Sequence, residues 1–254
     1  MNQPRGAVDG HQTMPARMTR LPERIGVVVP APNEEDLLGG CLAALDHAAG
    51  RVEVPVHIVV ALDAWVDGTA DVVRTYRPRA LARVSSVALS ARSVGAARAH
   101  GTRFALRAGT RGLWLASTDA DSVVPAHWLA GQLRHARRGA AAVVGTVRVT
   151  DWTAYPPGMR RAYERRYRGQ EGHRYTHGAN LGMWADGYLS VGGFRDRRSG
   201  DDVELVRRLA AAGEAVVWAA DVSVVTSARR MGRAPNGFSA YLSRLADSVE
   251  VQVG

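Results

Sequence analysis

The carboxylates of Asp119 and Asp121 are the most informative pair of chemical groups in this sequence. They follow the apolar run Gly112–Ser117, which has the composition and length of a buried strand. Because side chains alternate between the two faces of a strand, both carboxylates point the same way where the strand ends. Such a pair at the carboxyl edge of a parallel sheet can hold a hard divalent cation together with phosphate oxygens. Alone, the pair could instead cap a helix beginning near Pro125.

Two further polar clusters follow predicted strands in the first half of the chain. Pro30–Glu34 comes after strand 25–29, where a dinucleotide-binding fold carries its glycine-rich turn. No such turn is present, which argues against a dinucleotide cofactor. Asn33 and Glu34 can contact a ligand or cap the following helix. Asp63 ends the second strand, where its carboxylate can accept hydrogen bonds from a base or ribose, or close a turn.

An arginine and a pair of aspartates complete the candidate chemistry. Gly95–Arg98 opens a predicted helix, whose free N–H groups and guanidinium favour an anion. Asp201 and Asp202 precede an apolar-periodic helix, although one aspartate would suffice as a cap. Neighbouring like charges raise the pKa of a carboxylate and suit it to general-base work. For His177, in Thr176–Asn180, a structural role is favoured.

Composition narrows the classes of function. Each of the 33 residues counted as lysine or arginine is an arginine, and the net charge is +9. A Walker A lysine and a Schiff-base lysine are therefore excluded. The charge favours anionic partners, but the arginines are dispersed outside 160–168, which argues against a nucleic-acid-binding face. Cys41 cannot form an internal disulfide, so we expect a reduced, buried thiol in a cytoplasmic, bacterial protein.

The order of predicted elements indicates an α/β fold. Strands are predicted at 25–29, 54–62, 84–89, 113–117, 141–149, 215–219 and 222–226. Helices are predicted at 33–49, 67–76, 94–108, 125–138, 159–168 and 201–212, with a closing helix to about residue 249. Short connections between alternating strands and helices predict a doubly wound, mostly parallel sheet. No apolar run approaches the ~18 residues of a membrane span, although arginines 160–168 could contact anionic lipid.

In their order and spacing, these motifs resemble those of the family 2 glycosyltransferases, which have the GT-A fold and use nucleotide-sugar donors. The matching segments are Val27–Glu35, Ala61–Asp71, Gly95–Arg98, Thr118–Asp121, Gly178–Phe194 and Gly200–Asp202. The resemblance implies one GT-A domain at 23–254 after a flexible tail at 1–22. Its Rossmann-like nucleotide-binding half would be 23–125, and its acceptor half, with the C-terminal helix, 126–254.

The resemblance also implies roles for individual residues. The expected nucleotide contacts are Pro30, Ala31, Glu34, Asp63, Arg98 and Asp119, with Arg98 near the diphosphate and Asp119 by the ribose. Asp121 would ligate Mn²⁺ or Mg²⁺, and Asp202 would deprotonate the acceptor hydroxyl. The donor-sugar and acceptor side would be lined by Gly178, Ala179, Asn180 and Asp201.

The sequence departs from the family pattern in two places. Asp201 stands where relatives more usually carry a glutamate. The late strand that often supplies a histidine metal ligand ends here in Val224–Arg230, without a histidine. Either Asp121 holds the metal together with water and diphosphate, or arginines take over part of the role of the metal. For the second case we hypothesise a flap that closes on the diphosphate, since bidentate guanidinium suits phosphate. Its members would be Arg229, Arg230 and Arg233.

The expected function is transfer of a sugar from a nucleotide-diphosphate sugar to an acceptor hydroxyl, with inversion and with assistance from a divalent metal. A retaining transferase on the same sheet is one alternative. A non-catalytic module that binds nucleotide or another anion is the second. A nucleotidyltransferase fits less well, because it would need a glycine-rich, basic first loop and Pro30–Glu35 is acidic.

Overall fold

The computed structural model describes residues 20–80, 82–230, 232 and 237–250, without the side chain of Glu250. Its strands are β1 (Arg24–Pro30), β2 (Val56–Asp63), β3 (Ala82–Leu89), β4 (Leu113–Ser117), β5 (Ser122–Val123), β6 (Ala142–Arg148), β7 (Leu181–Trp184) and β8 (Val216–Thr226). All eight belong to one sheet in the order β3-β2-β1-β4-β7-β6-β8-β5.

Helices connect and cover these strands. They are α1 (Leu38–Ala49), α2 (Thr69–Thr75), α3 (Val94–Ala105), α4 (Trp128–Arg137), α5 (Met159–Arg166), α6 (Ala185–Ser190), α7 (Asp201–Ala211) and α8 (Phe238–Glu250). Two 3-10 turns occupy Leu106–Ala108 and Gly178–Asn180. In the described part of the chain, every helix is too short or too polar to cross a lipid bilayer.

The first half of the sheet is parallel and buried on both faces. Strands β1, β2, β3 and β4 pair in parallel, so that Val28 lies opposite Val59 on one side and Ser117 on the other. Separate hydrophobic clusters pack on the two faces, which explains the continuous apolar runs of these strands. The predicted α/β class with a mostly parallel, doubly wound sheet is confirmed, and the carboxyl ends of β1, β2 and β4 meet at one edge.

The second half of the sheet brings a distant part of the chain to that edge. Strand β7 is antiparallel to β4 and β6, and β8 is parallel to β6. Strand β5, directly after the Asp119–Asp121 turn, pairs antiparallel with the end of β8, with Ser122 opposite Thr226. The segment after β8 is therefore held beside Asp121.

Two local predictions are wrong, and two local features were not predicted. Asn33 does not cap α1, which has Leu37 at its N-cap; Asn33 has a φ of 50° in the loop between β1 and α1. One strand, β8, replaces the two predicted at 215–219 and 222–226, because its pairing with β6 continues through an irregularity at Gly145/Thr146. The antiparallel pairing of β5 and the short helix α6 were not predicted.

The first described residue contacts the body of the domain. The guanidinium of Arg20 lies 4.4 Å from the ring centroid of Trp184 and forms an ion pair with Asp186. Residues 1–19 of the predicted tail lie outside the described residues. The two halves predicted at 23–125 and 126–254 contribute strands to the same sheet.

Candidate active site

Arg98 joins two of the aspartates that the sequence placed at the site. Its Nη1 donates to both carboxylate oxygens of Asp201, at 3.1 and 2.9 Å, and its Nη2 donates to Asp119 at 2.6 Å. The side chains of Arg98 and Asp201 are only 5% and 1% exposed. Burial acts to lower the pKa of Arg98, but the Asp119 and Asp201 carboxylates outweigh it and raise the pKa. Arg98 is therefore a fixed bridge between the end of β4 and the start of α7.

This bridge changes two of the expected roles. Arg98 was expected near the diphosphate, but its guanidinium is buried and committed to carboxylates. Asp201 was expected on the sugar side, but its carboxylate is closed off from solvent by the pair with Arg98. Burial raises the pKa of Asp201, and the Arg98 charge opposes that rise. In this structure the two side chains are therefore buried and paired with each other.

Asp202 is held next to this bridge but remains half-buried. Its Oδ2 accepts a hydrogen bond of 2.6 Å from the Gly178 N–H, and its Oδ1 accepts from the Val203 N–H at 2.8 Å. A side chain at Gly178 would collide with the guanidinium of Arg98, so the backbone can approach there only because the residue is glycine. A carboxylate has about four acceptor positions, which leaves Asp202 able to accept from a ligand.

Asn180, which was expected to contact a sugar, is held by hydrogen bonds within the protein. Its side chain is fully buried, and its Oδ1 accepts from the Trp128 indole N–H at 2.8 Å. Its Nδ2 donates to the carbonyls of Thr146 and Val222, at 2.8 and 2.9 Å. The amide thus ties the 178–180 turn to α4, β6 and β8. Ala179 and Gly178 beside it are also buried.

A second arginine, Arg229, bridges the loops after β1 and β4. Its Nη1 and Nη2 donate to the two carboxylate oxygens of Glu34, at 3.0 and 2.8 Å. Nη2 also lies 2.7 Å from Oδ2 of Asp121. Burial raises the pKa of Asp121 to about 6, and the Arg229 charge opposes the rise. The charge that faces the predicted metal ligand in this structure is therefore a guanidinium.

Arg230, a second member of the hypothesised arginine flap, has other contacts. The guanidinium of Arg230 lies over the Tyr155 ring, 5.7 Å from its centroid, and the Arg230 carbonyl accepts from the Ser243 hydroxyl at 3.3 Å. Arg233 lies outside the described residues. Of the three arginines, only Arg229 is described in contact with the site.

The remaining expected nucleotide contacts lie at the ends of β1 and β2. Asp63 is buried and accepts backbone N–H bonds of 2.7, 2.9 and 2.8 Å from Ala91, Arg92 and Ser93. It therefore fixes the loop that leads into α3. Pro30 and Ala31 are buried at the same edge, and the Ala31 N–H donates to the Ala61 carbonyl at 2.9 Å.

Sequence reasoning missed the contacts that join the loops after β1 and β2. Asn33 Oδ1 accepts from the Val66 N–H at 2.7 Å, and Glu35 accepts from the Gly68 N–H at 2.7 Å. The Glu34 N–H donates to the Thr69 hydroxyl at 2.7 Å. Polar residues at the ends of adjacent parallel strands were the available signal, because such ends lie side by side.

His177 has the structural role favoured from the sequence. Its Nε2 lies 2.9 Å from the Tyr167 hydroxyl, which accepts from the Val147 N–H at 3.1 Å. Burial lowers the pKa of His177 to about 4, with a smaller contribution from His173. The ring is therefore neutral at pH 7. Cys41 is a free, buried thiol, as predicted.

The sequence model of Glycosyl transferase family 2 matches residues 26–192, which is more than half of the chain. The chain belongs to this family. No curated protein matches the chain.

Solved structures similar to this chain include S. aureus TarS 1–349 in complex with UDP-GlcNAc, at a TM-score of 0.61 and 14% identity. The match covers 90% of this chain and 66% of that one. The mannosyltransferase PcManGT from Pyrobaculum calidifontis, in complex with GDP-Man and Mn²⁺, matches at a TM-score of 0.60 and 23% identity, over 85% of this chain and 59% of that one. At these identities the likeness shows the GT-A fold, and the chain spans less than two thirds of either structure.

Proposed function

We propose that this protein transfers a sugar from a nucleotide-diphosphate sugar to an acceptor hydroxyl, with inversion at the anomeric carbon. The observation that carries the proposal is the different environment of two adjacent aspartates. Asp201 is closed off by Arg98, whereas Asp202 is held by the Gly178 N–H and stays half-buried. A fixed, accessible carboxylate at the edge of the sheet is the group that a general base requires.

In the proposed reaction, the acceptor oxygen attacks the anomeric carbon from the side opposite the diphosphate. The bond from that carbon to the diphosphate oxygen breaks, and its electron pair leaves with the nucleoside diphosphate. Asp202 receives the proton of the acceptor hydroxyl. The Gly178 N–H fixes Oδ2, so the carboxylate does not need to reorganise as the proton arrives.

The proposed donor is a nucleotide sugar that lies along the ends of β1, β2 and β4. The ends of β1 and β2, at Pro30, Ala31 and Asp63, would lie nearest the base, and Asp119 would contact the ribose. The proposal draws support from the family membership and from two structures of similar fold, TarS with UDP-GlcNAc and PcManGT with GDP-Man. Asp119 is one-third exposed beside Arg98, so it has room to accept from a ribose hydroxyl.

A divalent cation bound to Asp121 fits the described residues poorly. Oδ2 of Asp121 already has the Arg229 guanidinium at 2.7 Å, so a cation would have to displace that charge. Asp119 is likewise engaged by Arg98. Within the described ranges, no three His, Cys, Asp or Glu side chains are grouped so as to hold a metal ion. The proposed reaction therefore includes no step at Mn²⁺ or Mg²⁺.

We also propose where the protein is located and what kind of acceptor it uses. We propose a cytoplasmic protein, on the ground that Cys41 is a free, buried thiol. The basic helix α5 exposes arginines on the face turned away from the core, which suits an anionic acceptor or a peripheral contact with anionic lipid. These arginines are Arg160, Arg161, Arg165 and Arg166, followed by Arg168.

Calorimetry with UDP, GDP and dTDP tests the donor site. We expect one of them to bind with micromolar to millimolar affinity and the other two to bind at least about tenfold more weakly. Absence of binding by all three would overturn the donor-site proposal. Once a donor and acceptor are known, proton NMR of the new glycosidic bond gives its configuration, and a retained configuration would contradict the role of Asp202.

A further inference from the structure

Arg229 is held where the two carboxylates nearest the predicted metal position converge. The Ser227 N–H donates to the Asp121 carbonyl at 3.2 Å, and the Ser122 hydroxyl donates to Thr226 at 3.1 Å. These contacts fix the start of the segment after β8 against the turn that carries Asp121. From there the guanidinium reaches Asp121 and both oxygens of Glu34. Its position follows from strand pairing and is not that of a freely moving surface side chain.

A diphosphate bound at this edge would need a positive charge beside Glu34 and Asp121. Glu34 and Asp121 are 4% and 12% exposed, so their negative charges are poorly screened by solvent. A diphosphate brings further negative charge to the same edge and needs a compensating cation. The Arg229 side chain is 28% exposed, and its contacts with the two carboxylates engage only Nη1 and Nη2. The Nε–H and one Nη1–H thus remain outside these contacts.

We propose that Arg229 is the built-in cation of the donor site. Its guanidinium binds the diphosphate from beside Asp121, the place that a divalent ion would otherwise take, so that nucleoside diphosphates bind without added metal. This inference rests on the proposed donor site. The charge of the guanidinium and its N–H donors outside the carboxylate contacts favour phosphate oxygens. A charge that the chain already holds in place also avoids part of the entropic cost of recruiting an ion.

A direct consequence is competition between Arg229 and a divalent cation. Both require Oδ2 of Asp121, and the guanidinium lies 2.7 Å from that oxygen. Removal of the arginine charge therefore takes a competing cation away from Oδ2 of Asp121. The variant Arg229→Gln is expected to bind Mn²⁺ more tightly than the wild-type protein, not more weakly.

The test is calorimetry with whichever of UDP, GDP and dTDP binds the wild-type protein, in EDTA and in Mn²⁺. We expect the wild-type affinity to differ less than about threefold between the two conditions. Arg229→Gln should lose about tenfold or more in EDTA, the scale of one lost charged hydrogen bond, and regain part of that loss in Mn²⁺. Arg229→Lys should lose less than Arg229→Gln, because it keeps the charge without the bidentate geometry.

The matched control is Arg134→Gln, which removes an arginine from an exposed ion pair with Asp221, apart from the contacts described for the site. It should bind the nucleotide as the wild type does. Titration of nucleotide-free protein with Mn²⁺, followed by the electron paramagnetic resonance of free Mn²⁺, gives a second readout. If Arg229→Gln does not fold, the nucleotide affinities of Arg229→Lys and of the wild type in EDTA still test the proposal.

Two outcomes separate the inference from the proposed function. Binding to the wild type only in Mn²⁺ would overturn the role of Arg229 and leave the donor site standing. The inference would also fall if Arg229→Gln bound nucleotide in EDTA as tightly as the wild type. Absence of nucleotide binding in both conditions would overturn the donor site and the inference together.

Discussion

At the scale of single residues, burial decides which of two adjacent aspartates can act as a base. Asp201 is 1% exposed and paired with Arg98, whereas Asp202 is half-buried and bonded to a backbone N–H. Identical side chains one residue apart point in different directions from the first turn of α7, so they meet different surroundings. Their substitution is therefore expected to have different consequences.

Asp202→Asn is expected to lower turnover and leave donor binding unchanged. The amide oxygen can still accept from the Gly178 N–H, but an amide cannot take up the acceptor proton. Release of nucleoside diphosphate from the donor sugar should fall at least ~100-fold, with donor affinity within about threefold. Asp186→Asn, at an exposed position, is the control. Turnover near the wild-type rate would remove Asp202 from the mechanism.

Asp201→Asn is expected to lower the free energy of unfolding. The substitution leaves Arg98, which is 5% exposed, with Asp119 as its one carboxylate partner. Loss of one member of a buried ion pair costs roughly 3 kcal/mol, which urea unfolding measures. Glu164→Gln breaks the exposed pair with Arg160 and should have a much smaller effect, because solvent screens that pair. Equal effects of the two variants would show that the Arg98 bridge contributes no more to stability than an exposed ion pair.

At the scale of elements, the short turn Gly178–Asn180 connects the candidate base to the sheet through hydrogen bonds. Its first residue donates to Asp202, and its last holds β6, β8 and α4 together through one buried amide. The position of the candidate base thus depends on how α4, β6 and β8 pack around that amide. A residue expected to touch a sugar instead determines where the turn lies.

Asn180→Ala is expected to destabilise the protein. It leaves the Trp128 indole N–H and the carbonyls of Thr146 and Val222 without their buried partner. Each unsatisfied group costs about 1–3 kcal/mol, so we expect a loss of roughly 3 kcal/mol or more in urea unfolding. Gln170→Ala removes an exposed amide and is the control. Full stability of Asn180→Ala, with weaker donor binding, would restore the role as a sugar contact.

At the scale of the whole molecule, the titration of His177 couples the free energy of unfolding to pH. His177 lies between Tyr167 and Phe238, with ring centroids 5.7 and 5.6 Å away. The charges of His173 and Asp119 also act on it, the first lowering and the second raising its pKa. Since burial dominates and lowers the pKa to about 4, the folded protein holds this ring neutral over a wide pH range.

We expect a loss of stability as the pH falls from about 6.5 to about 4. In this range the unfolded chain binds a proton at His177 that the folded protein does not, so the free energy of unfolding decreases towards acid pH. The contribution is at most roughly 3 kcal/mol. Urea unfolding of the wild type and of His177→Gln at several pH values measures the difference. Parallel pH profiles would contradict the assignment.

The sequence by itself determined the parts of the protein that depend on local pattern. Continuous apolar runs predicted β1, β2 and β4, because a parallel strand covered on both faces must be apolar throughout. The positions of Asp63 and Asp119 at the ends of strands followed from the same runs, since the carboxyl ends of parallel strands share one edge. The ordered motifs predicted the family, and the match to residues 26–192 confirms it.

Only the tertiary structure decided which charges meet. Arg98 pairs with Asp201 across 103 positions of sequence, and Arg229 pairs with Glu34 across 195. Periodicity predicts which face of an element is apolar, but it contains no information on which distant ion a buried guanidinium will contact. That choice follows from sheet order, in which β7 separates β4 from β6 and β8 returns beside β5. In the structure Arg98 and Asp201 form a buried pair, whereas Asp202 and Arg229 stay partly exposed.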